Sequence, residues 1–237
     1  MTPVVAISPK WKQNYDAQYV HYSDWRWIGS EDKFSNLKRL CSRVPHQRVL
    51  EIGSGEGALL KRMEQANFAD ELYSLEISES SVAALQSLAL KRLKQASLFN
   101  GYSTTFADKT FDLVVLSHII EHLEHPRLLL AEAARIARYI FVEVPLEDNL
   151  RLPLDYSFNP LGHINYYSPK TIRRLLQTCD LDVLQQRISP IGVSVYRYRL
   201  GFVRGTLAYA VKRVLLVCPE LATQLFTYHC ALLATAS

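Results

Sequence analysis

A glycine-rich segment carries the clearest chemical signal in this sequence. It reads Glu51-Ile-Gly-Ser-Gly-Glu-Gly57 and follows a short apolar stretch. Glycines at such a turn let the backbone bend sharply between a strand and a helix, and they let a ligand approach without a Cβ in the way. A tight turn that binds nothing has the same pattern. Glu76 favours a ligand, because it ends the next predicted strand 19 residues after Gly57, where a carboxylate would meet a ribose diol.

Histidines and acids lie together in a second segment, at Glu121, His122 and His125. Neighbours on a helix lie about 100° apart, so Glu121 and His122 make a poor chelate, and only His118 and His122 share a face. The four cysteines lie far apart and form neither a CxxC pair nor a Cys/His zinc spacing. We therefore predict structural hydrogen bonding in this segment and no metal site.

Apolar runs alternate with helical segments through most of the chain. The predicted strands are 48–52, 72–77, 97–101, 111–116, 139–144, 181–187 and 192–199. The predicted helices lie within 11–41 and at 58–67, after Ser78-Glu79, at 126–138 and from Ser168 to about Cys179. This order predicts a Rossmann-like, doubly wound α/β fold, whose seven-stranded, mostly parallel sheet has helices on both faces. Its ligand would lie at the carboxyl ends of the first and fourth strands.

Composition limits the number of domains and the partners. The chain has 237 residues, 49% of them hydrophobic, which is enough for one large core. We predict a domain at 44–200 with an N-terminal helical lid at 1–43 and a C-terminal helical extension at 201–237. The 27 basic residues are interleaved with 23 acidic ones, for a net charge of +4, so the basic stripe of a nucleic-acid-binding protein is missing.

The two ends of the sequence indicate a cytoplasmic protein. The N-terminal residues have no continuous apolar stretch of the kind that marks a secretory signal, and the scattered cysteines suit a reducing compartment. The most apolar region, 214–236, contains Pro219, Glu220 and His229. These polar and helix-breaking residues favour a buried or surface-docked helical hairpin over a membrane span.

Three segments resemble parts of a known enzyme family. Residues 48–57, Arg-Val-Leu-Glu-Ile-Gly-Ser-Gly-Glu-Gly, resemble the first motif of class I S-adenosylmethionine methyltransferases. Residues 106–126 resemble the fourth-strand region of the small-molecule branch that includes the ubiquinone and menaquinone methyltransferases, and residues 162–169 resemble a later segment of that branch. The resemblance covers about residues 44–199 and implies an S-adenosylmethionine-dependent methyltransferase.

The resemblance also implies roles for the matching residues. Backbone groups of the glycine turn would lie under the methionine part of the cofactor, and Glu51 would hold the turn and the ammonium group. Glu76 would accept hydrogen bonds from both ribose hydroxyls. Asn100 would face the adenine amino group, and the Gly101 N–H would meet the ring. The predicted cofactor-binding set is Glu51, Gly53, Ser54, Gly55, Gly57, Glu76, Ile77, Asn100, Gly101, Ser117, His118 and Tyr15.

Two histidines are candidates for proton transfer. Methyl transfer from a sulfonium depends mostly on in-line positioning, but a hydroxyl acceptor also needs a general base. His118 and His163 each lie in a motif that we expect to face the cleft. The alternative for His118 is packing and hydrogen bonding at the end of a strand.

Aromatic residues recur at helical spacing near the N-terminus, at Tyr15, Tyr19 and Tyr22, before Trp25 and Trp27. The stripe is equally compatible with the packing of a helix on the domain and with a lid that closes over the cofactor.

The sequence therefore predicts an enzyme that transfers a methyl group from S-adenosylmethionine to a small organic acceptor and releases S-adenosylhomocysteine. The acceptor would be lipid-linked, a sugar or a secondary metabolite, and we expect a monomer or homodimer, with membrane-surface contact left open. One alternative is a non-catalytic module that binds the same cofactor. The other is a nicotinamide-dependent oxidoreductase, whose catalytic Lys/Tyr or His/Asp constellation we do not find.

Overall fold

The computed structural model describes residues 6–8, 23–155 and 162–236. The predicted cofactor contact at Tyr15 lies outside the described residues, as do Tyr19 and Tyr22. Trp25 and Trp27 lie in the first described helix.

A seven-stranded sheet forms the centre of the molecule, in the order β3-β2-β1-β4-β5-β7-β6. Strands β1 to β5 pair in parallel, whereas β7 is antiparallel to both β5 and β6. The strands are β1 Arg48–Ile52, β2 Glu71–Glu76, β3 Leu93–Leu98, β4 Phe111–Ser117, β5 Ala137–Pro145, β6 Leu181–Ser189 and β7 His229–Ala236. The prediction of a mostly parallel, Rossmann-like sheet is confirmed.

Helices cover both faces of this sheet. The helices of the described ranges are α1 Ser23–Cys41, α2 Ala58–Gln65, α3 Glu79–Ser87, α4 Pro126–Ile136, α5 Pro169–Gln177, α6 Val193–Leu200, α7 Phe202–Leu215 and α8 Pro219–Leu225, with a 3₁₀ turn at Ile120–His122. Alternate residues of one strand enter different cores: Val114 and Leu116 belong to one cluster, Leu113 and Val115 to the other. Burial on both faces explains why β4 is a continuous apolar run.

The parallel register aligns the carboxyl ends of the central strands. Glu51 near the end of β1 pairs with Ser74 of β2 and Val115 of β4. Ser117 at the end of β4 pairs with Glu143 of β5. These polar residues therefore lie at one edge of the sheet, as the fold predicts for a ligand site.

The predicted C-terminal helical extension is wrong for its last residues. Residues 202–225 are helical, but His229–Ala236 form β7, between β5 and β6. The segment from Cys230 to Ala234 has no exposed surface. A short, fully buried apolar run is compatible with either a strand or a helix, so periodicity could not identify it. Because β7 is an interior strand, residues 44–200 do not contain the whole sheet.

Two other strand predictions are corrected. Residues 192–199, predicted as a strand, form helix α6, in which only Val195 is buried. The β-branched and aromatic residues of this segment suggested a strand, but packing against α7 overrides that preference. Strand β3 begins at Leu93, four residues earlier than predicted. It is a partly exposed edge strand, so no continuous apolar run marks its ends.

Helix α1 belongs to the core as well as to the predicted lid region. Leu37, Leu40 and Cys41 in its second half are buried against β1 and α2 residues. Its first half contacts the glycine-rich segment, where Trp27 Nε1 donates to Glu56 Oε2 at 3.2 Å. The helix therefore links the core to the glycine turn.

We predict opposite effects for two glycine-to-alanine substitutions in helices. A Cβ at Gly205 would lie 2.6 Å from backbone atoms of Tyr196 and Arg197, because α6 and α7 cross there, so Gly205→Ala should lower the free energy of unfolding by about 1–3 kcal/mol. A Cβ at Gly29 in α1 meets nothing within 4 Å, so Gly29→Ala should raise it by about 0.5–1 kcal/mol. Urea denaturation measures both. Equal effects at the two positions would contradict the close helix crossing.

Candidate active site

The turn after β1 requires glycine. Gly53, Gly55 and Gly57 have φ angles of 75°, 59° and 82°, in the left-handed region that side chains disfavour. A Cβ at Gly53 would lie 2.0 Å from the end of the Ile119 side chain, so a larger residue would have to displace that side chain as well. The Gly53 N–H donates to the Leu75 carbonyl at 2.8 Å and fixes the turn to β2.

Glu51 contributes a buried carboxylate beside this turn. Its Oε2 accepts no hydrogen bond from any residue in the described ranges. Burial raises the pKa of the Glu51 carboxyl to about 8; the charge of Lys33 opposes this shift, and that of Glu76 adds to it. A buried carboxylate oxygen without a donor is costly. A cationic ligand group at this turn would therefore be stabilised by Glu51.

Glu76 is buried and holds the turn from the end of β2. Its Oε1 accepts from the Gly55 N–H, and its Oε2 accepts from the Ile77 N–H at 3.1 Å. A carboxylate is an acceptor-only group, the type that ribose hydroxyls need as a partner. The predicted ribose contact stays a prediction. Ser54 is also buried, and its hydroxyl lies 2.6 Å from that of Ser74.

Asn100 is held within its own loop. Its Oδ1 accepts from the N–H groups of Tyr102 at 2.9 Å and Ser103 at 2.8 Å. The predicted bond from the adenine amino group to this oxygen stays a prediction. Gly101 has a φ of 96°, and its Cα is covered by the side chain of Ile7.

A row of imidazoles and carboxylates follows β4. Ser117 is buried and its hydroxyl has no partner in the described ranges. His118 has a φ of 56°, and its ring nitrogens lie 3.3 Å from Glu143 Oε1 and 3.4 Å from Glu121 Oε1. Both carboxylates are fully buried. Burial would raise their pKa values, but the adjacent imidazoles, His118 first, lower both well below the ordinary value.

His163 lies at the other end of this row. Its Nδ1 is 2.6 Å from Glu147 Oε2, and its ring packs edge-on against that of His122, with centroids 4.8 Å apart. Burial lowers the pKa of His163, but the hydrogen bond to Glu147 and the charge of Glu121 outweigh it, so the pKa is raised. The loop is fixed to the 3₁₀ turn because the N–H groups of Ile164 and Asn165 donate to the Glu121 carbonyl at 2.9 and 3.0 Å. The structure thus brings both predicted bases to Glu121.

Comparison with known proteins identifies the family and the fold. A family profile described as a methyltransferase domain matches residues 25–186, well over half of the chain. The chain belongs to this methyltransferase family. The predictions of a class I S-adenosylmethionine-dependent methyltransferase, and of S-adenosylmethionine as cofactor, are confirmed.

Sequence relatives match part of the chain. YrhH of Bacillus subtilis (strain 168), provisionally named a methyltransferase, is 29% identical over 116 residues, which are 44% of this chain and 64% of YrhH. The methyltransferase chain spans only 54% and 64% of the lengths of two curated relatives that it matches.

Two solved structures share the fold. Phosphoethanolamine N-methyltransferase 2 of Haemonchus contortus, in complex with phosphomonomethylethanolamine and S-adenosylhomocysteine, has a TM-score of 0.67 at 15% identity, over 99% of this chain and 61% of that chain. Geranyl diphosphate methyltransferase, in complex with S-adenosylmethionine, has a TM-score of 0.64 at 14% identity, over 88% and 85%. Likeness at this identity shows the fold alone.

The residues of the methyltransferase fit this cofactor. The Glu51 oxygen without a donor is where its ammonium group would be neutralised. The remaining members of the predicted set, Ser117 and His118, lie at the neighbouring end of β4.

The predicted positions of Glu121 and His122 relative to each other are corrected. We predicted that Glu121 and His122 diverge on a helix, but one donor atom each from Glu121, His122 and His163 lies within 4.8 Å of the other two. His118, Glu143 and His229 form a second such set. We retain the hydrogen-bonding interpretation as a proposal, because His118 and His163 already pair with carboxylates at hydrogen-bonding distance.

Sequence reasoning missed several residues of this site. Lys33 of α1 lies close to the carboxylates of Glu143, Glu121 and Glu51, whose charges oppose the lowering of its pKa by burial. Nothing in the α1 sequence distinguishes it from a surface lysine. Glu143 had a signal, since it is a lone acid within an apolar strand. His229 could not be found without knowing that its segment is a strand.

We predict that Glu51→Gln weakens S-adenosylmethionine binding in a pH-dependent way. At pH 9 the variant should lose about 1–3 kcal/mol of binding free energy, because the ammonium group loses an ionised partner. Since the pKa of Glu51 is raised to about 8, the wild-type carboxyl is mostly protonated at pH 6, and the difference from Gln should then shrink. Calorimetry at pH 6, 7.5 and 9 measures it.

At each pH the affinity of the wild type for S-adenosylmethionine is divided by that of the variant. The titration of the ligand affects both proteins equally and cancels in this ratio. A constant ratio between pH 6 and pH 9 would show that Glu51 is ionised throughout, and an unchanged affinity would place the ammonium group elsewhere.

Proposed function

We propose that this methyltransferase transfers a methyl group to a small organic acceptor of the lipid-linked, sugar or secondary-metabolite class. The observation that carries the proposal is the row of imidazoles and buried carboxylates at the carboxyl ends of β4 and β5, next to the cofactor turn. Its members are His118, Glu121, His122, Glu143, Glu147, His163 and His229. The row supplies groups that can take up a proton, on the side of the site where the methyl acceptor would bind.

Residues of the first two strands would hold the cofactor. Glu51 would bind the ammonium group and Glu76 the ribose, while backbone groups from Gly53 to Gly55 would lie under the methionine part. When bound, S-adenosylmethionine supplies a methyl group already activated by its sulfonium. The protein then has to exclude water, orient the acceptor and, for a hydroxyl, remove a proton.

His163 has the geometry of a general base. Glu147 accepts from its Nδ1, which leaves Nε2 as the nitrogen that takes a proton. The same carboxylate would stabilise the imidazolium that forms, as a carboxylate does for a catalytic histidine in other enzymes. His118 is the second candidate, but both of its nitrogens lie within 3.4 Å of carboxylate oxygens. This arrangement suits a residue that positions Glu121 and Glu143.

Two further observations support a small acceptor. The 27 basic and 23 acidic residues nearly balance over the whole sequence, which disfavours a nucleic acid as the acceptor. The two solved structures are named for small acceptors that carry phosphate groups, phosphoethanolamine and geranyl diphosphate. The narrower place beside the ubiquinone and menaquinone methyltransferases is part of the proposal and rests on the motif at 106–126.

Turnover with labelled cofactor tests the function. Purified protein and S-adenosylmethionine labelled on its methyl group are incubated with prenyl-phosphate-linked sugars, free sugars, phenols and amines, and with total protein and RNA as competitors. We expect label in a small organic product. Label only in protein or RNA would contradict the acceptor class. Cofactor binding without transfer to any acceptor would favour a non-catalytic module.

We predict that His163→Gln lowers kcat by about 10²–10⁴-fold for a hydroxyl acceptor and leaves cofactor affinity nearly unchanged. The pKa of His163 is raised above its ordinary 6.5, and the neutral form is the base, so the wild-type rate should rise with pH above that value. The His163→Gln variant should not show this rise of the rate with pH. His118→Gln should lower kcat but keep the rise.

His46→Gln is the matched control, because His46 lies before β1, away from the carboxyl ends of the strands, and stacks on Phe68. Full rates in both site variants across the pH range would exclude both histidines as bases and favour an amine or carbon acceptor.

A further inference from the structure

One region of the surface is unusually apolar. Eight of the fourteen large hydrophobic side chains that the described residues expose lie between residues 200 and 221, and they are 49% to 89% accessible. We call them the C-terminal apolar surface: Leu200, Phe202, Val203, Leu207, Val211, Val214, Val217 and Leu221. Contiguous exposed apolar area of this kind marks an interaction site.

Helix α7 presents the centre of this surface as one stripe. Val203, Leu207, Val211 and Val214 are spaced by four, four and three residues, so they share one face of the helix. Gly205 lies on the other side, buried against α6. The apolar face of α7 therefore points away from the core, whereas an ordinary surface helix turns it inward.

Basic residues outnumber acidic ones in the part of the sequence that carries this surface. Between residue 183 and the end of the sequence there are six basic residues and one acidic residue, Glu220. Arg204 and Arg213 of α7 are exposed on either side of the apolar stripe. An apolar helix face flanked by arginine is the pattern of a helix that lies in the headgroup region of an anionic bilayer.

The same charges disfavour a second copy of this chain as the occupant. A twofold interface brings identical patches together, so Arg204 and Arg213 would meet their own counterparts with only Glu220 to compensate. A membrane-spanning segment is not the alternative either, because no helix within the described ranges is long and apolar enough to cross a bilayer.

Topology places this surface beside the active site. Ser189 at the end of β6 and Pro145 at the end of β5 both pair with His229 at the start of β7. The connection from 190 to 228 therefore leaves and re-enters the sheet at the edge where the site lies. It is also tied to the loop after β5, because the Leu146 N–H donates to the Tyr228 carbonyl at 2.7 Å and the Leu150 N–H to the Gln224 carbonyl at 3.0 Å.

We propose that the C-terminal apolar surface binds an anionic lipid bilayer and that the acceptor is the lipid-linked member of the proposed class. The docking rests on exposure and charge alone, whereas the choice of acceptor also rests on the proposed function. A bilayer held at this edge would present a lipid headgroup to the row of imidazoles and carboxylates, and it would help to exclude water from the acceptor side.

Vesicle flotation tests the docking with the full chain. The vesicles contain phosphatidylcholine alone, or phosphatidylcholine and phosphatidylglycerol in equal parts. We expect binding to the anionic vesicles, weaker binding to the neutral ones, and release by salt. Arg204→Gln with Arg213→Gln should weaken anionic binding about 30-fold, from about 1 kcal/mol per basic residue. Leu207→Ser with Val211→Ser and Val214→Ser should weaken it at least as much.

Leu98→Ser with Leu128→Ser and Leu184→Ser is the matched control, because these side chains are also 42% to 50% exposed but lie outside the surface. It should bind vesicles like the wild type, and calorimetry should give every variant the wild-type affinity for S-adenosylmethionine. Absence of binding to anionic vesicles would overturn the docking. So would a dimer, seen by light scattering, that the apolar variants convert to a monomer.

The two proposals fail in distinguishable ways. Vesicle binding without methyl transfer to any acceptor would leave the docking intact and remove the proposed function. Vesicle binding together with equal turnover of water-soluble and vesicle-embedded acceptors would retain the enzyme and remove the lipid-linked substrate.

Discussion

The carboxylate of Glu143 joins more elements than any other side chain described above. It has no exposed surface, and it receives contacts from His118 after β4, from His229 of β7 and from Asn36 of α1, whose amide also donates to Ser189 of β6. Burying a charge is costly unless it is paired and hydrogen-bonded, and removing one partner of a buried pair costs about 3–5 kcal/mol. The N-terminal helix, the central sheet and the C-terminal strand must therefore assemble together around this group.

Glu143 and Glu51 differ in how their carboxylates are satisfied. Glu143 is surrounded by donors, so its protein partners account for its charge. Glu51 is equally buried but retains an oxygen without a donor in the described ranges, and its pKa rises instead of falling. Burial is common to both. The imidazoles of His118 and His229 lower the pKa of Glu143, whereas the charge of Glu76 adds to the rise at Glu51.

The sequence was informative wherever chemistry is local. The glycine turn, β1 and β4 were predicted from a few adjacent residues, because left-handed backbone and burial on both faces each leave a short signature. The row beyond β4 could not be predicted in the same way. His163 and Glu147 are 16 residues apart, and His229 meets His118 only because β7 enters the sheet. Lys33 is placed among three carboxylates by the packing of α1, which no local pattern records.

The position of β7 also explains why the C-terminal segment was predicted incorrectly. Strand β6 ends at the sheet edge that carries the site, and the chain must return to a position inside the sheet, between β6 and β5. The intervening helices begin and end at that edge, so they have no opposite sheet face on which to bury an apolar stripe. Their exposed valines and leucines therefore look like core residues in the sequence. Tyr228, fully buried just before His229, donates its hydroxyl to the Lys212 carbonyl of α7 at 3.1 Å. The same short segment that completes the carboxylate network thus fixes the orientation of the exposed helix relative to the site.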